Sequence, residues 1–129
     1  MESQNYLIDT NAVIDYPGKK IPVNGMQFMN TVVDAVPNVS VITKIEVLGF
    51  NSTDHQFKIL ADFMDDANVM ELTKEVADIC ILLRKKHKTK LPDAIIAATA
   101  LAANAVLITR NTNDFKHING LTVLDPHTL

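Results

Sequence analysis

The sequence predicts an α/β fold in which a mostly parallel sheet of about five strands is covered on both faces by helices. Two observations carry this reading. Short apolar segments rich in β-branched residues recur along the chain, and segments of helical period lie between them. A third bounds it: 129 residues, 47% of them hydrophobic, supply one packed core, and the four Gly and five Pro are scattered without a linker, a repeat or a low-complexity tract. One domain over residues 1–129 is expected.

Taken in order, the first strand is expected at residues 6–8 (Tyr6-Leu7-Ile8), followed at once by Asp9, Thr10 and Asn11. The stretch 16–23, with Pro17, Gly18 and Pro22, reads as a loop. A helix is expected over 25–36, a strand over 39–42, helices over 44–50 and 54–65, and a strand over 69–72. Thr73 can cap the next helix, 73–88, whose Val76, Ile79, Cys80 and Leu83 repeat at the spacing of one buried face. Arg84, Lys85, Lys86, His87 and Lys88 then put cations at its negative end. Pro92 suits the first turn of a helix over 92–103, which is mostly Ala and Ile and reads as buried. Strands over 105–108 and 121–124 complete the sheet.

Composition excludes several classes. A formal net charge of −3 argues against a protein that wraps nucleic acid through a broad basic surface, so a polyanionic substrate has to be met locally. The lone Cys80 makes no internal disulfide and, between Ile79, Ile81 and Leu82, reads as part of a helix face turned to the core. His55, His87, His117 and His127 lack metal-ligand spacing, so zinc is not expected. The N-terminal run MESQNYLIDTN has no basic region followed by a long apolar stretch, and no segment approaches the ~18 to 20 apolar residues of a membrane span. A soluble cytoplasmic protein without a membrane partner is the expectation.

The informative feature is where the acids fall. Asp9 follows the first strand directly, at the carboxyl end where open α/β sheets place their ligand crevice. Glu46 sits among Ile45, Val47 and Leu48, where a charge needs a partner. Asp93 opens the Ala-rich helix, and Asp114 follows the fourth strand after Thr109-Arg110-Asn111-Thr112-Asn113. Each has a structural reading alone: a polar turn for Asp9, a pairing with Lys44 for Glu46, a helix-dipole acid for Asp93, a helix cap for Asp114. If they converge, their mutual repulsion calls for a cation, and a purely carboxylate set suits Mg²⁺ or Mn²⁺.

The segments LIDTN at 7–11, TKIEVLGF around Glu46, KLPDAIIAATALAAN at 90–104 and LITRNTNDF at 107–115 together resemble PIN-domain ribonucleases, specifically toxins of the VapC type from type II toxin-antitoxin systems. The resemblance spans nearly the whole chain and implies a PIN-like three-layer α/β/α sandwich. It carries the family's acids onto Asp9, Glu46, Asp93 and Asp114, with Asn11, Thr109 and Asn111 supporting them. Asn111 stands where many relatives carry another acid. The resemblance further implies RNA cleavage, dependence on Mg²⁺ or Mn²⁺, a homodimer, and inhibition by a small cognate antitoxin.

On that basis Asp9, Asp93 and Asp114 are expected to hold the metal, with Glu46 orienting a water or joining them, and Arg110 to meet the RNA backbone. Arg84, Lys85, Lys86 and Lys88 are further candidates for backbone contacts, although a basic helix end is commonly just solvated. Two other classes stand beside the nuclease. A Mg²⁺-dependent phosphatase with a nucleophilic Asp9 is disfavoured because LIDTN lacks a second acid two residues on. A silent PIN-like module that binds RNA or protein is the other. A nucleotide-binding domain has no Gly-rich phosphate loop after the first strand.

Overall fold

The computed structural model describes residues 4–129, in which a five-stranded, wholly parallel sheet lies between helices in the order β3-β2-β1-β4-β5. In chain order the elements are β1 (Tyr6–Ile8), α1 (Thr10–Asp15), α2 (Val23–Asp34), β2 (Asn38–Ser40), α3 (Val41–Gly49), α4 (Asp54–Asp66), β3 (Asn68–Met70), α5 (Lys74–Lys86), α6 (Leu91–Ala102), β4 (Val106–Ile108) and β5 (Val123–Leu124). Single 3₁₀ turns, Thr112–Asp114 and Pro126–Thr128, flank β5.

Alternation along the strands splits the interior in two. Leu7 and Leu107, paired in register, point into a core made with Val76, Cys80 and Leu83 of α5 and Ala94 to Ala100 of α6. Ile8, Ile108 and Val39 point the other way, onto Ala12 and Val13 of α1, Met29 and Val32 of α2, Val47 of α3 and Leu60 and Met64 of α4. Both faces of the sheet are therefore covered, as parallel ladders require.

The expected helices and strands form, with shifted ends and one addition. Thr73 caps α5 as expected, its hydroxyl accepting from the Val76 amide at 3.2 Å. α1 is the addition: it has only six residues, too short to show a period, and it starts because the Asp9 carboxylate accepts from the Thr10 amide at 2.8 Å. Val41 and Ile42, β-branched and strand-like in sequence, belong to α3, because the Ser40 hydroxyl accepts from the Ile42 amide and turns the chain three residues earlier than expected. Glu46 consequently sits mid-helix rather than at a helix start. Cys80 is buried, whereas Ile81 and Leu82 are 54% and 58% exposed, since successive helical positions rotate about 100° away from the buried stripe. Among the described residues no helix is long and apolar enough to cross a membrane.

α6 is buried without a break from Ala94 to Ala100, which its small side chains permit, and it packs closely on α5. It leads back into β4, so it runs antiparallel to the strands and presents its N-terminus at their carboxyl edge. That places Asp93 on the same edge as Asp9.

Candidate active site

The sheet order makes β1 the switch point: the chain leaves it towards β2 on one side, and β4 returns on the other. A crevice opens at such a point because the two connections diverge. The register Ile8↔Ile108 then sets the next residues, Asp9 and Thr109, side by side at the carboxyl edge. The Thr109 hydroxyl donates to Asp9 Oδ2 at 2.8 Å, and both residues are buried. Asn11, in the first turn of α1, donates from Nδ2 to Asp9 Oδ2 at 3.2 Å and to Thr109 Oγ1 at 3.1 Å, while its carbonyl accepts from the Arg110 amide at 3.0 Å. The Asn111 amide donates to Thr109 Oγ1 at 3.0 Å. Asn11 and Thr109 thus orient Asp9 directly, and Asn111 fixes Thr109 through its backbone.

α3 crosses beside α1, and its Thr43 and Glu46, three residues apart, share the facing side. The Thr10 hydroxyl donates to Glu46 Oε1 at 2.7 Å and lies 3.2 Å from the buried Thr43 hydroxyl. Glu46 makes no ion pair with Lys44; Thr10 holds it instead and leaves Oε2 free of any partner among the described residues.

A cleft of about 310 Å³ lies over these groups, lined by Asp9, Thr10, Asn11, Ile14, Asp15, Glu46, Asp93, Arg110 and Asn111. Burial pushes the Asp9 carboxyl above its ordinary range; the Thr109 and Thr10 hydrogen bonds oppose this, and the charges of Asp93 and Glu46 add to it. Asp93 is also pushed up, first by burial, then by the charges of Asp114 and Glu46, with Lys90 opposing. Asp9, Glu46 and Asp93 therefore share one cleft, whereas Asp114, exposed at the end of the 3₁₀ turn after β4, does not line it and acts on it through Asp93.

Among the described residues no three His, Cys, Asp or Glu side chains close into a direct metal cage. The donor set nevertheless fits a cation that keeps part of its water shell. It consists of carboxylate oxygens around an open cleft, where burial, with like charge adding to it, makes the ionised forms of Asp9 and Asp93 costly.

Three residues of this region have no role at the site in the sequence reading. Thr10 ties α1 to Glu46, and Asp15, at the end of α1, binds both Arg110 Nη1 at 3.0 Å and His127 Nε2 at 3.2 Å. The polar run after β1 held a signal for Thr10, whereas Asp15 follows the apolar Ala12-Val13-Ile14, and only α1 brings both onto the cleft. His127 comes from the far end of the chain and has no local signal. Arg84, Lys85, Lys86 and Lys88 lie at and beyond the end of α5 and do not line the cleft.

The PIN domain family model matches residues 6–121. No curated protein sequence matches significantly. Among solved structures, a toxin-antitoxin complex from Klebsiella pneumoniae contains a chain 34% identical to this one, covering 95% of this chain and 98% of that one with a TM-score of 0.73. The DNA-bound VapBC of Salmonella typhimurium is similar at 20% identity, covering 96% and 99% of the two chains with a TM-score of 0.82. FitAcB of Neisseria gonorrhoeae is similar at 22% identity, 96% and 99% coverage, and a TM-score of 0.72.

Proposed function

The chain belongs to the PIN domain family, and from that premise we propose that it is a metal-dependent endoribonuclease, the toxin of a toxin-antitoxin pair. The observation that carries the reading is the meeting of Asp9, just after β1, Glu46 of α3 and Asp93 of α6 at one cleft, with the charge of Asp114 acting on Asp93 from its margin, where burial and like charge leave Asp9 and Asp93 with raised pKa values. Such an arrangement costs stability and is explained by a cation and a phosphate that use it.

Asp9, Asp93 and Asp114 would hold Mg²⁺ or Mn²⁺, directly or through water. When bound, the cation supplies a Lewis acid that stabilises charge on the phosphoryl oxygens of the scissile phosphodiester. Thr109, Asn11 and the Thr10 amide fix both Asp9 oxygens in place. Thr10 fixes one oxygen of Glu46, so the other can orient an attacking water and accept its proton. Arg110, with its guanidinium half exposed at the cleft, meets an RNA phosphate. No covalent enzyme intermediate is required, which separates this reading from a phosphatase with Asp9 as nucleophile.

The antitoxin partner is supported by the Klebsiella chain, which was solved in a toxin-antitoxin complex. A homodimer and a place in the cytoplasm complete the proposal. Cleavage of structured RNA, including transfer RNA, by wild-type and Asp9→Asn protein with Mg²⁺ or Mn²⁺ against a chelator control tests it. Cation-dependent cleavage lost in the variant is the expected result. Wild-type activity retained by the variant would exclude this site, and absence of cleavage in every arm would favour a binding module.

A further inference from the structure

Among the described residues that line the acidic cleft, Arg110 is the only cation. A guanidinium beside several carboxylates is drawn onto one of them, where it would compete with a metal ion. Here its Nη1 donates instead to Asp15 Oδ2 at 3.0 Å. Asp15 is almost fully buried at the end of α1, and the same oxygen accepts from His127 Nε2 at 3.2 Å. His127 is held in turn by its own backbone, whose amide donates to the Asp125 carboxylate at 2.8 Å and starts the C-terminal 3₁₀ turn.

That turn packs against α2, and the approach is tightest at Gly25. A Cβ added to Gly25 would lie 1.8 Å from the Pro126 carbonyl oxygen, so only glycine lets the two backbones approach this closely. A continuous set of contacts thus runs from α2 through the C-terminal turn, His127 and Asp15 to Arg110 at the cleft.

We propose that Asp15 and His127 are positioning residues that hold the Arg110 guanidinium away from the acids Asp9, Glu46 and Asp93, leaving its other N–H groups to take a backbone phosphate of single-stranded RNA. The inference rests on the nuclease reading for its substrate class. It gives the C-terminal turn a part in substrate binding. A buried carboxylate that holds a half-exposed guanidinium by one nitrogen lowers the entropy lost when the remaining donors engage a phosphate.

The test has two arms on the full chain. In the first, binding of a fluorescent single-stranded RNA oligonucleotide is followed against salt with Ca²⁺ in place of Mg²⁺. Arg110→Gln should make the slope of log affinity against log salt shallower by about 0.7, the value of one lost phosphate contact on a single strand. His127→Ala and the isosteric Asp15→Asn should move the slope the same way, and His127→Gln, which keeps a donor, should restore it. In the second arm, with Mg²⁺, His127→Ala should raise KM several-fold while kcat changes less. An unchanged slope and KM in both His127→Ala and Asp15→Asn would overturn the inference while leaving the nuclease intact. RNA bound with these slopes but never cleaved would overturn the nuclease and keep the positioning role. A loss in His127→Ala that His127→Gln does not restore would mark a merely structural contact and overturn it too.

Discussion

Asp9 concentrates the chemistry of the molecule in one side chain. It caps α1, accepts from Thr109 and Asn11, and faces the charges of Asp93 and Glu46 from a buried position. Thr109→Val removes the shortest of these side-chain contacts while keeping the volume, and should lower cation affinity or cleavage by about 10- to 100-fold with the fold retained, as measured by cation titration and cleavage rates. The raised Asp93 has a consequence for pH. A carboxyl whose folded pKa lies above its unfolded value stabilises the fold fully only below the unfolded value, and that contribution is lost as pH rises through the folded one. In metal-free protein, Asp93→Asn should therefore raise the melting temperature near neutral pH, and the advantage should shrink as pH falls through the raised folded value and be gone below the ordinary carboxylate range. A variant no more stable than wild type at neutral pH would contradict the charge crowding at the cleft.

At the scale of elements, close approach rather than hydrophobic mass sets the limits. α6 is buried continuously from Ala94 to Ala100 because small residues let α5 and the sheet come near. Ala98→Leu forces extra methylenes into a filled interior and should cost about 1–3 kcal/mol in denaturant unfolding. Gly25→Ala should move the C-terminal 3₁₀ turn away from α2, exposing the amides of residues 125–128 to faster hydrogen exchange while leaving α6 protected. The helices with long periods and clear starts, α5 with its Thr73 cap and α6 with Pro92 in its first turn, were legible in the sequence to within two residues at each end. α1 was not, because six residues make fewer than two turns and Asp9-Thr10-Asn11 reads equally well as a turn. Ser40 moved the start of α3, since a β-branched pair obeys its cap over its own strand preference.

For the whole molecule, an overall negative charge coexists with a site that must accept a polyanion. In the proposed function a bound cation resolves this locally, and it would bind only the folded arrangement of Asp9, Asp93 and Asp114. Saturation at about a hundred times its dissociation constant is worth roughly 2.7 kcal/mol, a rise in melting temperature on the order of 10 °C for a domain of this size. Thermal unfolding with Mg²⁺ or Mn²⁺ against a chelator checks this, and the rise should vanish in Asp9→Asn. A rise of equal size in the variant would place the cation elsewhere.

By itself, the sequence determined the parallel α/β class, the Thr73 cap of α5 and the first-turn Pro92 of α6, and it singled out the four acids with Asn11, Thr109 and Asn111 as candidates. These are legible because alternation of apolar segments, capping chemistry and short motifs are local properties. Tertiary structure alone decided that Thr10 rather than Lys44 holds Glu46, that Asp15 takes Arg110, and that His127 reaches Asp15 from more than a hundred residues away. Such contacts depend on register, helix direction and a glycine that admits a passing backbone. Each arises from three-dimensional closure of the chain, which leaves no period or spacing in one dimension.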